Sequence, residues 1–581
     1  MIPPERYSSL GELLYDALLQ YKTETALLEL SRKRTAKELT YLQVKREAER
    51  MAQRFAAAGI GAGGRVAIVM SNQAAWPIAA LATFLRGGVL VPIDYKLDGP
   101  DQETLIRHSG ATVLVTEYGE WREMKAVRAG ELPLERVFVT ETSPREELPA
   151  NHVAWEVGEG EPLEEPALPL VRRERSDVAT IVYSSGTGGS PKGCMLTHDN
   201  YLEQYRTLLQ LFPYEPGDRF FSVLPSNHAI DFMSGFVGAF ACGSTVVHQR
   251  SLRPELIRWV LQEQGITHIA LVPLILEAFE RRLDEKLEER STAAQAAVEG
   301  LRQLNAALTL DKPRAWLSDR LMKPVRDGLG PDLKMVFCGG AFVDPRRARR
   351  FYELGVPVAI GYGLTEAGTV LTVNDMKPFR ADSVGAPIDG VEMEIRDPDG
   401  AGIGEVWVRG RTVFAGYLDD PEQTAEALVD GWLRTGDRGF LDPSGHLHLV
   451  GRSKNMIVTA GGKNIYPEDI ESAFEGLDCE ELVVFATGYV WPGTELTGSD
   501  LSKEKLVAVV RPKGDGGSLE LSLLEELRKR NRGLPDFKRI WGVLPWKDEF
   551  PRTASMKVKR AALAEELRAG TGHEALVEVS A

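Results

Sequence analysis

The strongest constraint on the fold is a regular alternation of helix and strand patterns in the first part of the chain. Apolar residues recur at helical spacing over residues 42–58 and again over 74–85. Each of these segments is followed by a short β-rich run, at 65–70 and at 89–93. Because each helix returns the chain to the starting edge of the sheet, the alternation predicts α/β layers with parallel strands.

Length and local composition extend this prediction to several compact units. At 581 residues the chain is too long for a single core. Residues 141–176, rich in Pro and Glu, predict a surface connection, and the charged segment 280–310 predicts an exposed helix or helical hairpin. Short strands broken by Gly, Pro and Asp are expected over 385–416, and a new α/β unit is expected to begin near residue 452.

A glycine pattern between two of these elements imitates a nucleotide-binding motif. Gly59, Gly61 and Gly64 fit G-x-G-x-x-G. A dinucleotide fingerprint follows a strand and opens a helix, whereas this pattern follows a helix and precedes a strand. The reversed order predicts a helix C-cap and a turn instead.

Charge and cysteine content disfavour several function classes. The chain has 69 Lys and Arg against 84 Asp and Glu, a net charge of −15, so general binding to nucleic-acid backbones is not expected. The four cysteines are far apart in sequence, which disfavours a zinc cluster or a disulfide framework. The first residues lack a secretory leader pattern, and the longest weakly polar stretch, 232–247, is too short for a transmembrane segment. A cytoplasmic location is expected, with peripheral contact at a membrane left open.

Residues 179–193 carry the most informative chemistry of the chain. A β-rich run leads into Ser, Gly and Thr residues and ends at Lys192. Glycines let backbone N–H groups approach an anion, hydroxyls donate hydrogen bonds and the lysine adds charge, which together favour a phosphate-binding loop. The loop is not a P-loop, because Lys192 follows Pro191 and G-x-x-x-x-G-K-[ST] does not fit. On composition alone, a flexible Gly/Ser turn is the alternative.

This loop resembles the signature loop of the adenylate-forming (AMP-binding) superfamily, which includes acyl-CoA synthetases, luciferases and the adenylation domains of peptide synthetases. Five further motifs of that superfamily follow in the same order, at residues 361–366, 431–437, 451–454, 461–468 and 551–557. Met556, where many relatives have glycine, and the run 556–560 are similar to the long-chain fatty acyl-CoA synthetases.

The resemblance implies an α/β protein built from two bodies that move against each other. Residues 1–450 are expected to form a large N-terminal adenylation domain, with layered α/β subdomains and a small β-barrel-like subdomain. Residues 451–455 are expected to form a hinge, and 456–581 a small mobile α+β lid domain.

The resemblance also implies attack of a carboxylate on the α-phosphate of ATP, giving an acyl-adenylate and pyrophosphate. Charge builds on the phosphorus oxygens during the attack, so positioned cations and donors are expected to dominate catalysis. The phosphate-binding positions of the family correspond here to Ser184, Ser185, Gly186, Thr187, Gly188, Gly189 and Lys192. The adenine and ribose positions correspond to Gly361, Tyr362, Gly363, Asp437 and Arg452.

Four residues match catalytic positions of the family. Thr365 corresponds to a hydrogen-bond donor to the α-phosphate, and Glu366 to the ligand of the Mg2+ bound with ATP. Lys557 corresponds to the lysine that offsets charge at the α-phosphate. His228 corresponds to an aromatic residue or histidine between the carboxylate and the adenylate, and a purely structural histidine is the alternative.

A second half-reaction is implied as well, in which a pantetheine thiol attacks the acyl carbon and AMP leaves. The hinge position of the family corresponds to Lys454. Gly461 and Gly462 correspond to the loop that lines the pantetheine channel. CoA is expected as the thiol substrate, and an acyl carrier protein is the alternative acceptor.

The carboxylic acid is less well defined by the sequence. The small residues Gly339, Gly340 and Ala341 match the acyl-pocket loop of the family, and the region 280–330 is similar to an insertion of long-chain acyl-CoA synthetases. Ala229 stands where amino-acid-activating relatives place an Asp. A medium- or long-chain fatty acid is therefore expected. The alternative substrate is an aryl or short-chain acid. The alternative function is that of a catalytically silent binding protein.

Overall fold

The computed structural model describes residues 3–143, 145–158, 167–184, 191–212, 214–251, 253–309, 315–458, 464–491, 505–513, 519–553, 557–570 and 576–579. The chain divides into two compact units. The first comprises Met1–Met393 and Val408–Leu433, and the second comprises Glu394–Trp407 and Arg434–Ala581. The expected domain limit at residue 450 and the expected hinge at 451–455 stay predictions.

One sheet of the first unit has eight strands. In spatial order they are Gly416–Tyr417, Lys192–Thr197, Val178–Ser184, Val89–Ile93, Arg65–Val69, Val113–Glu117, Arg136–Thr140 and His152–Ala154. The strands from Val178–Ser184 to His152–Ala154 all run parallel. Val89–Ile93 and Val113–Glu117 are buried at every residue, as expected of parallel strands that helices cover on both faces.

The other large sheet of the first unit has nine strands. In spatial order they are Ala386–Pro387, Thr372–Val373, Val358–Tyr362, Met335–Gly339, His268–Leu271, Arg219–Ser222, Thr245–Gln249, Thr25–Leu30 and Ala36–Thr40. The strands from Val358–Tyr362 to Thr25–Leu30 run parallel. Their carboxyl ends therefore share one edge, which is the usual location of ligand sites in α/β folds.

Helices of the first unit connect and cover these sheets. They are Leu10–Gln20, Tyr41–Ala57, Ala75–Leu85, Gly99–Ser109, Tyr118–Glu123, Lys125–Arg128, His198–Leu211, Pro254–Glu263, Pro273–Glu288, Thr292–Thr309, Ala315–Leu321, Lys323–Leu329, Pro345–Glu353 and Pro421–Ala427. The helix expected over 42–58 begins at a capping box, in which the Thr40 and Gln43 side chains each accept from the other residue's backbone N–H. Gly59 follows this helix with φ +83°, so the glycine pattern there is the expected helix end and turn.

The charged segment lies in two successive helices, Pro273–Glu288 and Thr292–Thr309. Glu280 in the first helix accepts hydrogen bonds from Arg347 and Arg350 at 2.7 and 3.0 Å. An acidic side chain of this segment is therefore paired within the unit rather than left to solvent.

The chain passes from one unit to the other within three strands, Val391–Arg396, Gly404–Gly410 and Trp432–Leu441. These strands belong to a five-stranded sheet that also contains Leu428–Val429 and Leu447–Arg452. The second unit has a four-stranded sheet in the order Cys479–Ala486, Leu506–Pro512, Ile540–Pro545 and Val577–Glu578. It also contains the strand pair Ile457–Val458 and Asn464–Ile465 and the helices Pro467–Ala473, Thr487–Val490, Leu521–Gly533 and Arg560–Gly570.

Apolar layers cover both faces of the four-stranded sheet. Val484 packs in one cluster with Leu527 of a covering helix. Val483 and Phe485, its neighbours along the strand, pack in another cluster with Leu563. The period of two along this strand thus builds an α+β unit with two apolar layers. The expected α/β class, with a large N-terminal part and a smaller C-terminal part, is confirmed.

The weakly polar stretch 232–247 is internal to the first unit. It contains most of a π-helix, Asp231–Ala239, and the buried strand Thr245–Gln249. Over the ranges that the structure describes, no helix is both long enough and apolar enough to cross a bilayer.

Candidate active site

Lys192, Tyr417 and Glu366 of the first unit meet at the carboxyl edge of the eight-stranded sheet. Lys192 pairs with Ser184, the last residue of a parallel strand, and directly follows the predicted phosphate loop. Its Nζ lies 5.5 Å from the ring centroid of Tyr417, a cation–π distance. The Tyr417 hydroxyl donates to Oε1 of Glu366 at 3.0 Å. Two residues from different sequence motifs are thus joined through one tyrosine.

Tyr417 reaches this position through the two-residue strand Gly416–Tyr417. That strand pairs antiparallel with the strand after the phosphate loop, and Tyr417 lies opposite Cys194. Burial raises the pKa of Tyr417 well above its usual range, and the nearby Glu366 carboxylate raises this pKa further. The phenol therefore stays protonated at neutral pH and remains a donor toward Glu366. The sequence motifs did not identify this residue.

Thr365 and Glu366 lie on a short 3-10 turn that follows the strand Val358–Tyr362. The connection passes through Gly363, where an added Cβ would lie 1.8 Å from the carbonyl oxygen of Thr369. A side chain does not fit there, so glycine is what lets the turn pack closely against the backbone that follows it.

The surroundings of Glu366 suit a Mg2+ ion that arrives with nucleotide phosphates. Within the described part of the chain, no group of three or more His, Cys, Asp or Glu side chains is arranged to hold a metal. In nucleotide sites Mg2+ is usually bound by one or two carboxylates together with substrate phosphates. A single carboxylate close to Lys192 meets that description, so the residues present fit the ion.

Two predicted substrate segments meet at the carboxyl edge of the nine-stranded sheet. Gly339 and Gly361 are in register on neighbouring parallel strands. A Cβ on Gly339 would lie 2.6 Å from the carbonyl oxygen of Gly361 and 3.6 Å from Cδ1 of Ile230. The predicted acyl-pocket strand, the predicted adenine motif and the segment after His228 therefore converge.

The remaining predicted residues of this edge lie beside that contact. Gly340 and Ala341 follow directly after the strand Met335–Gly339. Tyr362 ends the neighbouring strand and is buried, with 8% of its surface exposed. Stacking of its ring on adenine stays a prediction.

His228 lies between the strand Arg219–Ser222 and the π-helix Asp231–Ala239. Its backbone N–H donates to the carbonyl oxygen of Pro225 at 2.8 Å, and its carbonyl oxygen accepts from Phe232 at 2.9 Å. Backbone hydrogen bonds on both sides therefore fix the residue in the chain. π-Helical turns are rare and recur at functional sites.

Asp231 begins this π-helix and does not offer a charge to a substrate. It is 1% exposed, and Ser222 Oγ donates to its Oδ2 at 2.7 Å. Burial raises the pKa of Asp231 to about 8. The carboxyl is therefore protonated at neutral pH, which is unfavourable for holding the ammonium group of an α-amino acid.

In the second unit, Asp437 and Arg452 face each other on the paired strands Trp432–Leu441 and Leu447–Arg452. Arg452 Nε lies 3.0 Å from Asp437 Oδ1. Asp437 is buried, whereas 55% of the Arg452 side chain is exposed. The two residues are adjacent, as shared binding of one ribose requires, and that binding stays a prediction.

Lys557 of the second unit is hydrogen-bonded to Thr553. The Thr553 N–H donates to the Lys557 carbonyl oxygen at 2.8 Å, and the Lys557 N–H donates to Thr553 Oγ1 at 3.1 Å. Their neighbours Arg552 and Val558 form a β-bridge. The Lys557 side chain is exposed, and its part in adenylation is an untested prediction.

Several predicted residues are not described at the level of side chains. Ser184 ends a strand and Lys454 lies in the 3-10 turn Ser453–Asn455, both as backbone only. The others lie outside the described residues: Ser185, Gly186, Thr187, Gly188, Gly189, Gly461 and Gly462.

Known proteins are similar to this chain over most of its length. A family model for AMP-binding enzymes matches residues 15–418. The long-chain-fatty-acid–CoA ligase FadD15 of Mycobacterium bovis is 28% identical over 547 residues, which cover 87% of this chain and 87% of that protein. The feruloyl-CoA synthase of an Amycolatopsis species is 29% identical over 445 residues, which cover 75% of this chain and 78% of that protein.

A solved structure extends the likeness over both units. The anthranilate CoA ligase AuaEII in complex with anthranoyl-AMP matches with a TM-score of 0.76 at 20% identity. The match covers 97% of this chain and 98% of that chain. At this identity the likeness concerns the fold, and it confirms the expected architecture.

Proposed function

Because the chain belongs to the AMP-binding enzyme family, we propose that it is an AMP-forming acid–thiol ligase. It converts a carboxylic acid and ATP to an acyl-adenylate and pyrophosphate. It then transfers the acyl group to the thiol of CoA and releases AMP. The main support is the Lys192–Tyr417–Glu366 cluster, which brings a cation, a phenol and a carboxylate together where the phosphate loop ends.

In the first unit this cluster binds the polyphosphate of ATP. Lys192 offsets charge on the departing pyrophosphate, and Thr365 donates to the α-phosphate. When bound with ATP, Mg2+ supplies a Lewis acid at the phosphate oxygens. Glu366 holds that ion, and Tyr417 keeps the Glu366 carboxylate in one orientation through its hydroxyl. His228 lies between the carboxylate of the substrate and the adenylate.

The second unit supplies groups for both half-reactions. Asp437 accepts hydrogen bonds from the ribose hydroxyls, and Arg452 supports the same ribose. Lys557 offsets charge at the α-phosphate during adenylation. A rotation about Lys454 then replaces Lys557 by the loop that contains Gly461 and Gly462, which admits the pantetheine arm.

The acid is a medium- or long-chain fatty acid in this proposal. FadD15 is similar along 87% of both chains, a longer match than that to the feruloyl-CoA synthase. The neutral Asp231 is unfavourable for an amino acid. A cytoplasmic location, with contact at a membrane surface left open, is part of the same expectation.

An aromatic acid is the second candidate. The feruloyl-CoA synthase and the anthranilate CoA ligase both match much of this chain, and both are named for aromatic acids. The acceptor also has an alternative, since a carrier protein presents the same pantetheine thiol as CoA.

A panel of acids tests the proposal. Purified protein with ATP and Mg2+ is assayed for acid-dependent pyrophosphate release with fatty acids of two to eighteen carbons, ferulate and anthranilate. The expected result is release with medium- or long-chain fatty acids, followed by acyl-CoA formation when CoA is added. A preference for ferulate or anthranilate would replace the fatty acid by an aromatic acid.

The same assay distinguishes the acceptors and can reject the enzyme. Acylation of a holo carrier protein without acyl-CoA formation at saturating CoA would establish the carrier protein as acceptor. No acid-dependent release with any member of the panel would refute the ligase activity.

A further inference from the structure

The side chain of Asn72 connects the two large sheets of the first unit. Its partners lie in the segment that leads from the nine-stranded sheet to His228. Asn72 follows a parallel strand of the eight-stranded sheet and is 5% exposed. Its Nδ2 donates to the carbonyl oxygens of Ser222 and Leu224 at 3.0 and 2.6 Å. Its Oδ1 accepts from the Ser226 N–H at 2.9 Å. These three partners follow or end a strand of the nine-stranded sheet.

The partners of Asn72 determine which way its carboxamide is oriented. Two hydroxyls complete the set, because Nδ2 also donates to Ser222 Oγ at 3.1 Å and Ser226 Oγ donates to Oδ1 at 3.1 Å. The two carbonyl oxygens accept only and the Ser226 N–H donates only, so donor and acceptor ends are not interchangeable. Among side chains of this size, leucine makes neither set of bonds and aspartate makes only the accepting set.

Other contacts hold the same segment. Burial raises the pKa of Asp94, the residue directly after a central strand of the eight-stranded sheet, and the nearby Asn227 side chain offsets part of this rise. Ser222 Oγ donates onward to Asp231 Oδ2 at 2.7 Å. The backbone on both sides of His228 is therefore tied to buried polar side chains.

We propose that Asn72 is a positioning residue for His228. It fixes residues 222–226 relative to the eight-stranded sheet, whose edge carries Lys192, and so holds the His228 imidazole at its working distance from the substrate carboxylate. Asn72 touches no group assigned to substrate, so its effect on the reaction passes through His228. This inference rests on the proposed function.

A double-mutant cycle tests the coupling. Pyrophosphate release with the best acid of the panel is measured for the wild type, Asn72→Ala, His228→Ala and the double variant. Asn72→Ala is expected to lower kcat at least tenfold with less than a twofold change in KM for ATP. In the His228→Ala background the same change is expected to lower kcat less than twofold. An equal loss in both backgrounds would overturn the proposal.

A second readout does not depend on turnover. Hydrogen–deuterium exchange over residues 222–228 is expected to be faster in Asn72→Ala than in the wild type. Asn305→Ala is the matched control, because Asn305 is also buried and its side-chain amide donates to the Glu353 carbonyl oxygen at 2.9 Å in another part of the unit. The control is expected to leave both kcat and exchange over residues 222–228 unchanged.

Pyrophosphate release and hydrogen exchange distinguish failure of the proposed function from failure of the positioning role of Asn72. If the wild type releases no pyrophosphate with any acid, the proposed function fails. Unchanged hydrogen exchange over residues 222–228 in Asn72→Ala would independently overturn the positioning role. If Asn72→Ala does not fold, Asn72→Asp and Ser226→Ala enter the same measurements. Both are expected to couple to His228→Ala in the same direction with smaller losses, and additive losses for both would again overturn the proposal.

Discussion

At the scale of single residues, the proposed phosphate-binding edge of the first unit depends on Tyr417. Its hydroxyl orients the Glu366 carboxylate while its ring lies beside the Lys192 ammonium group. The hydroxyl of one side chain therefore donates to the Glu366 carboxylate, and the face of its ring lies beside the Lys192 ammonium group. The two functions can be separated by substitution.

Tyr417→Phe removes the hydroxyl and keeps the ring. A hydrogen bond to a charged group contributes about 1.5–3 kcal/mol, so kcat/KM for ATP is expected to fall by about tenfold or more. Tyr417→Leu removes both contacts and is expected to lose more. Steady-state kinetics with varied ATP at saturating Mg2+ measures both.

Tyr118→Phe is the matched control for this substitution. The Tyr118 hydroxyl also donates to a glutamate, Glu146, at 2.7 Å, on a different part of the first unit. Its removal is expected to leave kcat/KM for ATP unchanged. Equal losses for Tyr118→Phe and Tyr417→Phe would contradict a specific role of Tyr417.

The raised pKa of Asp231 predicts that the stability of the protein depends on pH. Its pKa of about 8 in the folded protein exceeds the value of about 4 in an unfolded chain. Between these values the folded state holds a proton that the unfolded state has released, so the free energy of unfolding falls as the pH rises. The fall is at most about 1.4 kcal/mol per pH unit and ends above pH 8.

Asp231→Asn removes that titration. The melting temperature of the variant relative to the wild type is therefore expected to rise steadily from pH 5 to pH 8, as measured by calorimetry. A difference that stays constant over this range would be incompatible with a raised pKa.

Candidate site residues were recognisable from the sequence where a motif is local. Lys192 and Glu366 were identified because their neighbours in sequence carry the family pattern. Tyr417 and Asn72 were not identified, because their partners are distant: Glu366 is 51 residues from Tyr417, and Ser222 is 150 residues from Asn72. No short pattern encodes a contact that only the sheet topology creates.

At the scale of elements, close backbone approach fixes the turn that presents Glu366. Gly363 is the position where no Cβ fits, because Thr369 passes directly beside it. The turn is therefore defined by steric exclusion as well as by hydrogen bonds, and a methyl group there should displace the residues that follow.

Gly363→Ala and Gly300→Ala are expected to act in opposite directions. Gly363→Ala forces a backbone shift and is expected to cost about 1–3 kcal/mol of stability and to lower adenylation. Gly300 lies within the helix Thr292–Thr309, where a Cβ meets nothing within 4 Å. Gly300→Ala is expected to add about 0.5–1 kcal/mol with unchanged activity. Chemical denaturation and the pyrophosphate assay measure both variants, and a loss of stability in Gly300→Ala would contradict the prediction.

Elements were predictable where the apolar period is long. The helical spacing over 42–58 and 74–85 corresponds to the helices Tyr41–Ala57 and Ala75–Leu85. The order of strands in the sheets was not predictable, since it depends on which apolar surfaces pack together. The two-residue strand Gly416–Tyr417 is too short to leave a pattern of its own.

At the scale of the whole molecule, the residues of the proposed reaction are divided between the two units. Lys192, Tyr417 and Glu366 belong to the first, whereas Asp437 and Lys557 belong to the second. Groups that belong to separate units can act in separate steps of a reaction, which is the basis of the proposed alternation.

Lys557→Ala is expected to separate the two half-reactions. Adenylation should fall by about two to three orders of magnitude, because in the proposed mechanism the lysine offsets charge at the α-phosphate. Thioester formation from supplied acyl-adenylate and CoA should change less than twofold. Lys559→Ala, two residues further along the chain, is the matched control and is expected to keep both rates. Equal losses of both half-reactions in Lys557→Ala would contradict the alternation.

The path of the chain between the units limits how such proteins can be recombined. The boundary is crossed after Met393, after Trp407 and after Leu433, each time inside a strand. A single cut near residue 450 would leave residues 394–407 and 434–450 of the second unit attached to the first. Exchange of the smaller unit between relatives therefore requires three junctions, so that acid specificity and acceptor specificity are expected to be inherited together more often than shuffled.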